Sequence, residues 1–354
     1  MNIDRLVRPN IRTLKPYRSA RQDHAVGILL DANENSMGSV IAEDGVALNR
    51  YPDPRQVALR TVLAGLNHVA VENVFVGVGS DEVIDLLVRI FCEPYKDSVV
   101  VLDPTYGMYR VAASIQGVEV HSSLLTDEFQ IDVERTAASV DQTTKLVFCC
   151  SPNNPTANLL RPDDILNLAQ RLNCLLVVDE AYMDFAAPQS TAPSFVQAPN
   201  IVVLRTLSKA WGLAGIRLGY CFGSADIISY LMKVKPPYNI NTLTSNAALR
   251  ALQNTDRLQA NVNEILRERE RLVSALRKVR VVENIYPSDA NFLLVRFSNA
   301  QQIYVGLERQ GIVVRDRSSE PNLAGCLRIT VGTRVENDTL LRALKNLETS
   351  SPQY

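Results

Sequence analysis

Six short runs of apolar and β-branched residues recur through the middle of the chain: NVFVGV (73–78), SVVVLD (98–103), KLVFCC (145–150), CLLVVDE (174–180), NIVVLR (200–205) and RLGYCFG (217–223). Strands made from such runs need cover on both faces, as in a sheet with many parallel strands. Between them, DEVIDLLVRIF, PDDILNLAQRL and DIISYLMKV repeat apolar residues at helical spacing. Strand and helix patterns in alternation build βαβ units, so the expected fold is α/β, a large doubly wound domain with a mostly parallel sheet.

The last third reads differently. DRLQANVNEILRERERLVSALRKV sets Leu258, Val262, Ile265, Leu266, Leu272, Val273 and Leu276 on one stripe with charges opposite, a long amphipathic helix suited to joining two domains. Strand-like NFLLVRF, a helix around QQIYVGLERQG, strand-like IVVRD and CLRITVG, and a helix from about Val335 then form a smaller α+β unit. The expected division is an N-terminal arm over 1–39, a large domain over 40–255 and a small domain over 256–354.

At 354 residues and 46% hydrophobic content the chain can bury both cores. Its 37 Lys and Arg balance 38 Asp and Glu without long runs of either sign, so it has no electrostatic footprint for nucleic acid or an anionic membrane. Small molecules are the expected partners. Six cysteines form no C-x-x-C pair and mostly sit in apolar runs, and the basic N-terminus has no apolar stretch for a signal peptide. These features point to the cytoplasm. His24, His68 and His121 are too scattered for a histidine metal site, and no metal is expected.

In an open α/β sheet, ligands bind beyond the carboxyl ends of the strands. Those ends read GSDE, DPTYG, SPNNPT, DEAY and RTLSKA, a concentration of polar, charged and aromatic groups. GVGSDE begins a dinucleotide fingerprint but carries Glu82 where the third glycine belongs; it suits a single phosphate at a helix start instead. Lys209 is the one lysine of TLSKAWGLAGIRLGY, a segment otherwise largely apolar. A lysine, an aspartate ending a buried strand and a phosphate cradle together match the needs of pyridoxal 5'-phosphate. That cofactor takes a lysine on its aldehyde, a carboxylate at its ring nitrogen and donors at its phosphate.

SPNNPT, DEAY and SKAWGLAGIRLGY resemble the active-site motifs of fold type I pyridoxal-phosphate aminotransferases. RPNIRTLKPYRSAR, LDANEN, NRYPDP, VGSDEVIDLL, DPTYGMY, VVRDRS and GCLRITVGT extend the likeness, nearly end to end, to the histidinol-phosphate aminotransferases. The resemblance implies transamination between L-histidinol phosphate and 2-oxoglutarate, giving imidazole acetol phosphate and glutamate. It implies that Lys209 is the Schiff-base lysine and proton shuttle, that Asp179 pairs with the ring nitrogen, and that Tyr182 and Asn154 hold the phenolic oxygen. Tyr106 would stack on the ring, and Ser80, Asp81, Thr206, Ser208 and Arg217 would hold the phosphate. Tyr51 resembles the residue that reaches that phosphate from a second subunit, which implies a homodimer. Arg328 matches the α-carboxylate site, while Arg315, Tyr17 and Asn33 match the remaining substrate contacts, Arg315 and Tyr17 at the distal phosphate. Ala157 departs from the glycine usual after NPT, at a position expected to tolerate alanine. A related decarboxylase of a phosphorylated amino acid and an aromatic aminotransferase would keep the same cofactor residues.

Overall fold

The computed structural model describes residues 2–23, 26–41, 45–186 and 198–349; His24 lies outside them. Seven strands form the larger sheet: β1 (Val74–Val78), β2 (Ser98–Asp103), β3 (Glu119–Leu124), β4 (Thr144–Cys150), β5 (Leu175–Asp179), β6 (Ile201–Thr206) and β7 (Leu218–Phe222). Their spatial order is β1-β7-β6-β5-β4-β2-β3. Pairing is parallel from β3 through β2, β4 and β5 to β6, whereas β7 runs antiparallel to both β6 and β1.

The apolar runs are buried on both faces, as their composition requires. Val100, Val147, Leu176 and Val203 pack into one core cluster, and their neighbours Val99, Phe148, Val177 and Val202 pack into another on the opposite face. Each fully buried Val, Leu or Phe contributes roughly 1.5–3 kcal/mol relative to exposure. The edge strand β3, EVHSSL, falls outside that pattern because one side of it has no neighbouring strand, so its polar residues stay partly hydrated.

The reversal of β7 positions the site. Residues 207–217 link β6 to β7 with only a single 3-10 turn, too little chain for the helical crossover that parallel pairing needs. The chain therefore returns antiparallel, with Thr206 opposite Gly219. The start of β7 then lies at the same sheet edge as the ends of β4, β5 and β6.

The smaller sheet is antiparallel, in the order β10 (Arg315–Asp316), β11 (Cys326–Thr330), β9 (Phe292–Phe297), β8 (Val282–Ile285). The helices Thr255–Leu276, Ala300–Glu308 and Arg334–Thr349 close its core through Leu272, Leu276, Ile303, Leu307, Leu340 and Leu344. Of the expected stripe on the long helix, Val262, Leu272 and Leu276 are buried, and so is Glu268, which pairs with Arg271 and Asn337. The helix spans about 33 Å at 1.5 Å per residue, enough to run between the two sheets. Among the described residues no helix is long and apolar enough to cross a membrane.

Candidate active site

The strand ends converge on a cleft of about 410 Å³. Twelve of the fifteen expected site residues line it: Ser80, Asp81, Tyr106, Asn154, Asp179, Tyr182, Thr206, Ser208, Lys209, Arg217, Arg315 and Arg328. Asp179 is the last residue of β5, where a parallel strand ends facing the crevice. It is almost fully buried, and its two oxygens accept from the Tyr109 hydroxyl (2.8 Å) and the Ala181 N–H (3.1 Å). Burial pushes its carboxyl up to about 6, against the pull of those two donors and of Lys209. Below Asp179, the buried pair Arg205 and Glu180 (3.1 Å), with Asp184 (2.6 Å), anchors the following turn.

Lys209 follows β6, in the loop that sends the chain back as β7. Water reaches its side chain through the cleft mouth, yet protein crowds the amine closely enough that burial lowers its pKa. Arg328 is the leading cation in the same direction, with Arg217 behind it. Nζ sits 5.3 Å from the Tyr182 ring centroid, and no carboxylate among the described residues pairs with it. A crowded, unpaired amine of this kind is a nucleophile toward a carbonyl group.

The anion cradle is built from backbone. Gly79 opens the thirteen-residue helix Gly79–Phe91 at φ 71°, and its N–H donates to the Arg217 carbonyl (2.9 Å). A Cβ on Gly79 would stand 2.8 Å from Arg217 Nη2, and one on Gly219 would stand 2.2 Å from the Ser80 nitrogen, so both glycines keep the helix start open and close to β7. Arg217, at φ 53°, reaches Asp81 Oδ2 (3.2 Å), while the Tyr106 hydroxyl donates to Asp81 Oδ1 (3.2 Å). The Thr206 and Ser208 hydroxyls bond each other at 2.9 Å beside them. Glu82 turns away from this cradle, accepting from the Val78 N–H (2.6 Å) and Asn239 (2.9 Å), so it does not crowd the anion position.

Across the cleft, Arg328 on β11 lies directly opposite Arg315 on β10 and donates to Asn154 Oδ1. Tyr182 packs edge-on against Phe292 of β9, tying the two sheets together at the site. Ala157 is fully buried at φ 69°, a left-handed conformation that favours glycine, so alanine occupies the position at a cost on the order of 1 kcal/mol rather than freely.

Three expected residues are not in the cleft of this chain. Tyr51 stacks on Tyr238 at 4.5 Å and is half exposed, Tyr17 is 75% exposed, and Asn33 sits on the surface at φ 54°. Two residues at the site were not named from the sequence. Tyr109 lies in the first turn of the helix Met108–Ile115, three positions after Tyr106, and its closeness to the DPTYG strand end was the available signal. Arg317 lines the cleft two positions after Arg315, just past the end of β10, and strand alternation was its signal.

The cleft fits pyridoxal 5'-phosphate by its donor set: an unpaired crowded amine, a buried carboxylate and a glycine-opened helix start with an arginine beside it.

The model of the class I and II aminotransferases matches residues 22–344. A histidinol-phosphate aminotransferase of Cytophaga hutchinsonii is 48% identical over 346 residues, covering 97% of this chain and 99% of that protein. One from Parabacteroides distasonis is 48% identical over 345 residues, with 97% and 98% covered. Among solved structures, the histidinol-phosphate aminotransferase of Sinorhizobium meliloti in complex with pyridoxal-5'-phosphate superposes with a TM-score of 0.79 at 26% identity, covering 86% of this chain and 84% of that one.

Proposed function

This chain belongs to the class I and II aminotransferases and, among them, to the histidinol-phosphate aminotransferases, and we propose how its residues divide the reaction. It exchanges the amino group of L-histidinol phosphate with 2-oxoglutarate, giving imidazole acetol phosphate and L-glutamate, in histidine biosynthesis. Pyridoxal 5'-phosphate, when bound, supplies the electron sink for the bond broken at the amine-bearing carbon and carries the amino group between the two substrates. The chain's own groups do the rest. Lys209 Nζ, held less protonated than a free lysine, takes the proton from the amine-bearing carbon and returns it after the exchange.

Asp179 is assigned to the ring nitrogen, where its ionised form holds a proton in place. Tyr182 and Asn154 are assigned to the phenolic oxygen and Tyr106 to the ring face. The first amides of the helix Gly79–Phe91, with Thr206, Ser208 and Arg217, are assigned to the phosphate, where a helix N-terminus favours an anion. Arg328 and Arg315 take the anionic groups of the substrates, with Tyr17 and Asn33 joining from the arm.

The single observation that carries this reading is that Lys209, Asp179 and the glycine-opened helix start line one cleft. We also assign the arm to 1–39 and the two domains to 40–255 and 256–354. A homodimer in the cytoplasm completes the proposal. It is supported by Tyr51 lying outside the lining of its own cleft, by exposed Val26, Ile28, Leu30 and Met37 along the arm, and by cysteines that are all buried free thiols.

The test is to incubate the purified holoenzyme with histidinol phosphate and 2-oxoglutarate and follow glutamate and imidazole acetol phosphate, which are expected in equal amounts. Carbon dioxide release from a phosphorylated amino acid without consumption of 2-oxoglutarate would replace this reading with the decarboxylase.

A further inference from the structure

Arg317 has no role in the assignments above. Its N–H donates to the Cys326 carbonyl at 2.9 Å, which continues the pairing of β10 with β11 beyond Asp316. The side chains of Arg315 and Arg317 therefore lie on one face, and both line the cleft with Arg328. The Arg317 side chain is only 19% exposed and donates from Nη1 to Glu320 Oε1 at 2.7 Å. That pairing leaves both partners incomplete, because Arg317 Nε and Glu320 Oε2 are buried without hydrogen-bond partners. Buried polar atoms left unpaired are unfavourable, and a ligand anion would complete Arg317.

The charge balance points the same way. Arg315, Arg317 and Arg328 all line the cleft, and among the described residues only Arg317 of the three has a carboxylate partner, Glu320. The guanidiniums feel one another: burial, then Arg317, lowers the pKa of Arg328. Burial in turn pushes the Glu320 carboxyl up, although Arg317 pulls it down.

Besides their side chains, the two amino donors differ in the second group on the amine-bearing carbon. Glutamate carries a carboxylate on the amine-bearing carbon, whereas histidinol phosphate carries there a CH₂–O–phosphate arm, longer and close to doubly charged at neutral pH. One guanidinium matches the carboxylate; the longer dianion calls for further cations. Resting on the functional reading above, we propose that Arg317 is a specificity-determining residue that binds the substrate phosphate together with Arg328 and Arg315, while the glutamate carboxylate is held without it.

Single-turnover kinetics of the holoenzyme test this with Arg317→Gln. For histidinol phosphate, kcat/KM is expected to fall about 10- to 100-fold, the loss typical of a charge-assisted contact. For histidinol and for glutamate the fall should stay within about threefold. Equal losses with all three amines would overturn the proposal and leave Arg317 a packing role. No loss with histidinol phosphate would overturn it as well. Glu320→Gln carries the test if the first variant does not fold. Removing the competing carboxylate is expected to make inorganic phosphate a several-fold stronger inhibitor of the histidinol phosphate half-reaction, and unchanged or weaker inhibition would count against the proposal. A wild type that handles histidinol phosphate no better than histidinol would overturn the functional reading itself. A wild-type preference that survives Arg317→Gln overturns only the role of Arg317.

Discussion

The hydroxyl of Tyr109 offers the cleanest perturbation of the site. Its ring is fully buried and stacks on Phe148 at 4.8 Å with 7° between the planes, so Tyr109→Phe keeps the packing and removes one oxygen. What is lost is the 2.8 Å bond to Asp179 Oδ2; the Ala181 N–H on the other oxygen remains. Burial has already raised the Asp179 carboxyl from 3.8 to about 6, a rise that the Tyr109 bond opposes because it favours the ionised form. A hydrogen bond to a charged group is worth about 1.5–3 kcal/mol, which corresponds to roughly one to two pKa units at 1.36 kcal/mol each.

The sign follows directly. Asp179 is charged above its folded-state pKa and neutral below it, and only the charged form attracts a protonated ring nitrogen. In the wild type, affinity for the cofactor is expected to decline as the pH falls through about 6. In Tyr109→Phe the decline should begin roughly one to two units higher. The assay is an absorbance titration of cofactor-free protein with pyridoxal 5'-phosphate at half-unit pH intervals, with circular dichroism confirming the fold at each pH. Superimposable pH profiles for the two proteins would refute the claim that this hydroxyl sustains the carboxylate. A uniform loss of affinity at every pH would show instead that the substitution disturbs packing.

Because Lys209 is the amine that lines the cleft, borohydride treatment of the yellow holoenzyme should fix the cofactor on the peptide containing Lys209; a label on any other lysine would remove that assignment. If Tyr51 serves a neighbouring subunit, co-refolding Tyr51→Ala with Lys209→Ala chains should restore activity above either parent, since a mixed dimer holds one complete site. Verified heterodimers that show no recovery would place Tyr51 outside the active site or within its own chain.

Most of the larger sheet was legible because its strands are buried on both faces, a condition that leaves a near-continuous apolar run as its trace. The exceptions have physical causes. β3 lies at the sheet edge, where polar residues are tolerated, and β8 (VENI) is partly exposed, so neither carries that trace. The expected strand over IVVRD shrinks to Arg315–Asp316, because Val313 is 82% exposed and has no strand to pair with in this chain.

Site residues were legible where a strand end delivers them, since that position alone turns a side chain toward the crevice. Asp179 closing β5 and Lys209 following β6 are of this kind. Tyr109 was not, because its sequence neighbours give it the pattern of an ordinary buried helical residue, and only the turn of helix after Tyr106 aims its hydroxyl back at Asp179. Arg317 was hidden differently: an arginine followed three residues later by Glu320 has the spacing of an ordinary surface ion pair. Only the partial burial of both side chains and their unfilled bonding capacity separate it from one. The sequence therefore announced the groups assigned to the cofactor more clearly than the tyrosine that bonds Asp179 or the arginine proposed to choose the substrate. Contact with the cofactor is set by position along the fold, whereas tuning is set by what the folded neighbours leave unsatisfied.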